Sequence, residues 1–373
     1  MNLTRQLVRI TLASAIIGAT VLAGKAKTTP APTWDRTAAA HYLDAREVWW
    51  QSWPRAQRDH GTVCISCHTV VPYALARPAL RPHDDTTLST PERIMFNGIV
   101  KRVTLWNDME PFYKDNPSGP TKSTESRNTE AVLNALILAS YDARRNHLTD
   151  ITRTAFNQAW ALQQQSGDKA GAWIWLNFHN APWESNESEY HGAALAALAV
   201  GTAPDNYRDD PKIQPNLKLL RAYLRREYST QPLVNRIVLL WASAKLPGLL
   251  TPSERADLIK VALAQQLPDG GWSLTNLGQW KRQDNTPLET KSDGYATGLT
   301  ILALEENNQQ HLPQTTRGIA WLLRNQDPTE GLWPAWSLNK KREPTSDIYH
   351  FMDDASTAYA VLALEQAPTT GAR

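Results

Sequence analysis

The sequence predicts an all-α fold, an α/α toroid of about five helix pairs preceded by an N-terminal helical segment. Three observations carry this expectation. First, a helix ending in glutamine, a glycine-containing turn and a tryptophan recur together. The copies are AWALQQQSGDKAGAW (Gln164, Gln165, Gly171, Trp173), VALAQQLPDGGW (Gln265, Gln266, Gly270, Gly271, Trp272) and RGIAWLLRNQDPTEGLW (Gln326, Gly331, Trp333). Second, each copy is followed by a helix of small apolar residues: SEYHGAALAALAVG (188–201), DGYATGLTILALEEN (293–307) and DASTAYAVLALEQ (354–366). Helices that are apolar nearly all round are buried. Third, few runs read as strands. Outer and inner helices alternating at a period of roughly 45–60 residues make a repeat array. Burial of the small-residue helices favours closure into a ring over an open solenoid.

Taken in order, the chain opens with Arg5 and Arg9, an apolar run from Ile10 to Ala23 and the small-residue exit Gly24-Lys25-Ala26. A charged start, a short greasy core and a small-residue exit describe a signal peptide over residues 1–26. The core is short for a bilayer span, so the expected location is periplasmic or otherwise exported, in a bacterium. Residues 34–126 form the N-terminal helical segment and 127–367 the toroid. The expected outer and inner partners are 90–106 with 128–141, 152–165 with 188–201, 213–228 with 233–245, 252–266 with 293–306, and 314–326 with 354–366. Pro252, Pro268 and Pro313 punctuate the joints.

The N-terminal segment carries Cys64-Ile65-Ser66-Cys67-His68, which holds the only two cysteines of 373 residues. C-x-x-C-H is the attachment pattern of c-type haem. Each thiol can form a thioether to one vinyl group of the same porphyrin, and the adjacent imidazole then lies under the iron. The expected cofactor is therefore covalent haem c, with Cys64 and Cys67 binding the porphyrin and His68 the iron. A disulfide and a bare metal are the competing readings. Zinc would need about four ligands, and a thioredoxin-like pair would need a βαβ context that is not visible. The distal iron ligand is open: Met95, Met109, His60, His83 and His41 lie in or near this segment. The segment is either a degenerate cytochrome-like domain or a haem-bearing extension docked on the toroid.

Composition bounds the partners. Loss of residues 1–26 removes Arg5, Arg9 and Lys25 and no acidic side chain, leaving 36 basic residues against 37 acidic ones. That argues against nucleic acid as a partner, and against membrane contact beyond export. Fifteen tryptophans against five phenylalanines point to a repeated tryptophan motif or an aromatic-lined cavity.

The run R-G-x3-L-x3-Q-x4-G-x-W at 317–333 resembles the QW motif of the squalene–hopene cyclase and oxidosqualene cyclase family, a terpenoid cyclase/prenyltransferase toroid. The likeness covers residues 150–366, one toroid of those two-toroid enzymes. The whole chain resembles exported bacterial proteins in which a CxxCH segment precedes such a toroid, through WWQSWP (49–54), CISCHTVVPYALARPAL (64–80), WLNFHNAPWES (175–185) and SDGYATG (292–298). In the cyclases a D-x-D-D motif supplies the acid. By that resemblance it would fall on Asp353, Asp354, Ala355 and Ser356, with Ala355 at the proton donor. The resemblance thus implies the fold rather than cyclisation. Asp293, Asp353 and Asp354 are the candidate catalytic carboxylates, with capping of inner-helix starts as their alternative role.

Trp173, Trp272 and Trp333 belong to the Gln–Trp turns and should stitch neighbouring repeats. Trp175, Trp183, Trp280 and Trp336 lie in the loops before inner helices, where they either stack on a ligand or form a lid core. His179, Glu184, Glu187, Glu189 and His191 crowd one loop without a helical metal-ligand spacing. The leading expectation is haem-linked electron transfer with a redox partner protein and a hydrophobic or isoprenoid ligand in the toroid. The alternatives are a toroid enzyme, cyclase-like or polysaccharide-cleaving, and a ligand-binding or sensing protein with a structural haem.

Overall fold

The small-residue inner helices are apolar on nearly every side, so each needs neighbours all round, and a closed ring supplies them. In the computed structural model, which describes residues 33–82, 85–110, 113 and 119–367, twelve α-helices build that ring. They are α1 (Arg36–Ser52), α2 (Val70–Ala76), α3 (Thr90–Thr104), α4 (Gly119–Arg145), α5 (Asp150–Leu162), α6 (Ser188–Thr202), α7 (Gln214–Glu227), α8 (Leu233–Lys245), α9 (Pro252–Ala264), α10 (Gly294–Glu306), α11 (Pro313–Arg324) and α12 (Phe351–Gln366). The expected signal peptide lies outside the described residues. Among the described residues, no helix is long and apolar enough to cross a membrane.

The even-numbered helices pack in sequence, α4 on α6, α6 on α8, α8 on α10 and α10 on α12. The ring then closes through α2, which touches both α12 and α4. The ten expected helices are present, and α1 and α2 of the N-terminal segment add a sixth outer and inner helix. The expected partners are shifted, because each outer helix packs chiefly on the inner helix before it, α5 on α4, α7 on α6, α9 on α8 and α11 on α10. Close approach of the inner helices depends on small residues. A Cβ on Gly298 of α10 would stand 2.6 Å from the Ala360 backbone nitrogen of α12. Aromatic side chains also join the inner helices. Trp241 of α8 meets Tyr359 of α12 at 6.4 Å between centroids, and Tyr295 of α10 lies 5.0 Å from Tyr359.

The outer layer is joined by the Gln–Trp turns. Gln326 Nε2 donates to Gly331 O and to Asp35 O, and its Oε1 accepts from Asp35 N, so the end of α11 is tied to the cap of α1. Gln266 donates to Gly270 O and to Gln314 O at the start of α11. In the first copy Gln163 performs this role, not Gln164 or Gln165, donating to Gly171 O and Asn216 O of α7. The indole N–H of Trp173, Trp272 and Trp333 donates to Ala159 O, Ala262 O and Leu322 O, back onto its own outer helix. Gly331 (φ +76°) is required at its turn twice over: its backbone is left-handed, and a Cβ there would stand 2.5 Å from the Ala38 backbone carbon. Trp333 is fully buried and lies 5.7 Å from Trp34 across the joint.

Trp333→Ala should lower stability by about 3–5 kcal/mol, the usual cost of truncating a buried tryptophan. Urea denaturation followed by circular dichroism checks this. An unchanged midpoint would show that the joint is not where the ring is held.

Candidate functional site

Most connections from an outer helix to the next inner helix are long, 163–187, 265–293 and 325–350 among them, while α7 and α8 are joined by 228–232 alone. The connection from α1 to α2 contains Cys64–His68. Its shape follows from local hydrogen bonding. A two-residue hairpin pairs Gln57–Arg58 with Thr62–Val63. Cys64 N then donates to Ala56 O at 2.8 Å, and Trp50 Nε1 to Cys64 O at 2.8 Å. Ser66 Oγ accepts from Thr69 N at 3.2 Å and Val70 N at 3.1 Å. Ser66 therefore satisfies free donors at the start of α2, the role of an N-cap side chain. The motif is thus both a loop and the cap of the closing helix, and His68 is held where the two meet.

The His68 ring stacks on Phe351 with 3.8 Å between centroids and meets Trp50 edge-on at 5.0 Å. Burial lowers its pKa to about 3, so the imidazole is neutral at physiological pH. Nδ1 lies 2.9 Å from Thr69 Oγ1, and Nε2 has no hydrogen-bond partner among the described residues. Cys67 is buried, Cys64 partly so, and both are free thiols. Burial pushes both thiols above the ordinary range, against a smaller opposing pull on Cys64 from Arg58 and Arg102. A thiol redox pair needs a lowered pKa, and these two are shifted the other way.

A cleft of about 270 Å³ opens beside the motif. Trp50, Trp53, Ile65 and Phe178 give it apolar walls, and Cys64, Cys67 and His68 lie along it. Arg55, Arg58 and Arg102 supply positive charge, and Glu184, Glu130 and Tyr113 polar oxygens. Arg102 is already engaged by Glu130 at 2.6 and 2.7 Å and by Thr62 at 2.6 Å. Burial raises the Glu184 carboxyl to about 7. This donor set fits a c-type haem: two thiols and one neutral imidazole in motif order, a free Nε2, apolar faces, and arginines for carboxylate side groups.

Asp293, Asp353 and Asp354 do not form one constellation. Asp293 caps α10, accepting from Ala296 N at 2.7 Å, and also accepts from Leu274 N at 2.6 Å. Asp353 accepts from Ala335 N at 2.9 Å and pairs with His350 at 3.1 Å. Asp354 reaches the motif instead, accepting from Thr69 Oγ1 at 2.6 Å. Among the proposed distal ligands, Met95 and Met109 are buried, with Met109 against Arg102. His60 pairs with Asp59, and His41 is exposed on α1. His83 lies outside the described residues. None of the four described side chains lines the cleft. The loop 175–191 disperses its candidates. His179 and Glu187 are exposed, Glu189 pairs with Lys169, and His191 is buried in α6. No group of three metal-binding side chains occurs among the described residues. Trp175 and Trp183 are both buried, with Trp175 Nε1 donating to Trp183 O at 2.9 Å, while Trp280 and Trp336 are half-buried.

No family model matches the chain, and no curated protein matches it in sequence. Solved structures do match. A wild-type glycosidase is 12% identical, with 89% of this chain and 98% of that one covered and a TM-score of 0.51. A substituted glycosidase is 11% identical over 89% and 99%, with a TM-score of 0.48. A family 88 glycosyl hydrolase from Bacteroides vulgatus is 12% identical over 90% and 91%, with a TM-score of 0.37. At such identity the likeness speaks for the fold alone, an α/α toroid.

Glu47 of α1 is fully buried. Gln51 bonds one oxygen at 2.9 Å and the other has no partner. Burial raises its pKa to about 8 from 4.5. A raised carboxyl pKa means that the folded chain holds a proton the unfolded chain releases. The stabilising contribution is complete below the unfolded value and is lost as pH rises through about 8. Glu47→Gln should therefore gain at least about 1 kcal/mol over wild type at alkaline pH and nothing in acid. Denaturant titrations across that range read the difference, and parallel pH curves for the two proteins would contradict it.

Proposed function

We propose that this chain is an exported haem protein, with haem c joined to Cys64 and Cys67 and ligated by His68 at one mouth of an α/α toroid. The observation that carries the reading is the coincidence of motif and cleft: both cysteines, His68 and three arginines border one opening. A bound haem would supply one-electron transfer, and small-ligand binding if its sixth position stays open. The residues of the chain do the rest. Arg55 and Arg58 would hold the carboxylates of such a group, Trp50, Trp53 and Phe178 would shield it from water, and a redox partner would approach through the opening of the cleft. A hydrophobic or isoprenoid reactant would enter by the cleft. The group whose motifs fit this reading is the exported CxxCH proteins with a squalene-cyclase-like toroid.

A second reading is a glycoside-cleaving toroid. It rests on Glu184, whose carboxyl is raised to about 7 in the cleft, near the range of a general acid. The matching solved structures are named glycosidases.

Expression in a host that matures c-type cytochromes should give a protein with a Soret band and haem staining on a denaturing gel. Cys64→Ala with Cys67→Ala should lose both. A colourless wild-type protein that cleaves a polysaccharide, with activity lost in Glu184→Gln, would overturn the haem reading in favour of the second.

A further inference from the structure

His68, Thr69 and Asp354 form one hydrogen-bonded line from the cleft to the start of α12. We propose that Thr69 and Asp354 are positioning residues that hold His68 as its Nδ1–H tautomer, leaving the Nε2 lone pair for the iron. The proposal rests on the haem reading above for its use, and on hydrogen-bond direction for its substance.

Asp354 accepts from Tyr42 OH at 2.9 Å, Arg46 Nε at 2.7 Å, Arg46 Nη2 at 3.2 Å and Thr69 Oγ1 at 2.6 Å. A carboxylate paired with arginine has no proton to give, so every one of these partners donates to it. The Thr69 hydroxyl has one hydrogen, and Asp354 takes it. Toward His68 Nδ1, 2.9 Å away, Thr69 Oγ1 can then only accept. Nδ1 must carry the hydrogen, and Nε2 is the bare nitrogen. The negative charge of Asp354, passed through the hydroxyl, polarises Nδ1–H and strengthens Nε2 as a donor to metal.

The repeat itself gives independent support. Asp293 and Asp353 are equivalent. Each accepts a backbone N–H two residues after its Gln–Trp tryptophan, from Leu274 and Ala335. Each lies four residues before a threonine whose hydroxyl accepts that tryptophan's own N–H. The architecture therefore uses the first aspartate. The residue after Asp293 is Gly294, and the residue after Asp353 is Asp354. Asp354 is an addition confined to the inner helix that faces the CxxCH loop.

Thr69→Val is the informative variant, because it leaves the Arg46–Asp354 pair in place, and Thr69→Ser is its rescue. Two readouts are needed. In the full chain made without cytochrome maturation, nitrogen-15 shifts of His68 should show the Nδ1–H tautomer in wild type and Thr69→Ser, with its loss in Thr69→Val. In the haem-loaded protein, the midpoint potential should rise in Thr69→Val and return to the wild-type value in Thr69→Ser, with haem staining retained in all three. A wild-type Nε2–H tautomer, or a potential and tautomer unmoved by Thr69→Val, would overturn the proposal. If no haem attaches, the haem reading fails, while the tautomer measurement still decides the role of Thr69.

Discussion

Closure of the inner ring by a helix of seven residues is the constraint on which the rest of the structure depends. α4, α6, α8, α10 and α12 leave one gap, and α2 fills it with VVPYALA. Six of those seven residues are buried. So short a helix has little cooperativity of its own and must be fixed from outside. Ser66 caps its start, and Asp44 receives both Tyr73 OH and the Arg77 guanidinium beyond its end. Asp354 anchors Thr69 from the neighbouring helix. The same bonds that close the ring therefore immobilise the Cys64–His68 loop. Any cofactor joined there would be held by the closure of the fold rather than by a separate small domain.

This arrangement explains how one site can be both apolar and well ordered in its polar groups. His68 lies among Phe351, Trp50 and Trp183, which keep it neutral. Its one occupied nitrogen leads through a hydroxyl to a buried carboxylate that four donor atoms satisfy. A buried charge is tolerated only when paired and hydrogen-bonded, and Arg46 meets that need from α1. The cleft has charge of both signs at its border, arginines from the α1–α2 connection and from α3, and carboxylates from α4 and the 163–187 loop.

Much of the ring was legible in the sequence because its grammar is repetitive. Gln266, Gln326, Trp272 and Trp333 recur at turns that must join one outer helix to the next, and the alanine-rich inner helices show no polar face. The sixth pair was not legible. VVPYALA is short and carries a proline, so no helical period marks it, and nothing in 34–53 resembles the Gln–Trp outer helices. In QQQ the choice of Gln163 over Gln164 or Gln165 depends on the backbone turn, because Gln164 uses its main chain to pair with Gly171 and Ala172. The CxxCH reading needed only local spacing. The link from Thr69 to Asp354 spans 285 residues and follows no local pattern. Glu184 appeared only as one of five polar residues in a loop until the fold separated it from His179, Glu187, Glu189 and His191.

The central claim is a covalent cofactor on the loop that closes the ring, and intact mass tests it most directly. The protein should be purified from the periplasm of a host that matures c-type cytochromes and denatured before mass measurement. The account predicts the mass of the chain without residues 1–26 plus one haem, with the increment absent when Cys64 and Cys67 are both alanine. A mature chain of unmodified mass, from a host shown to load a control cytochrome, would contradict it.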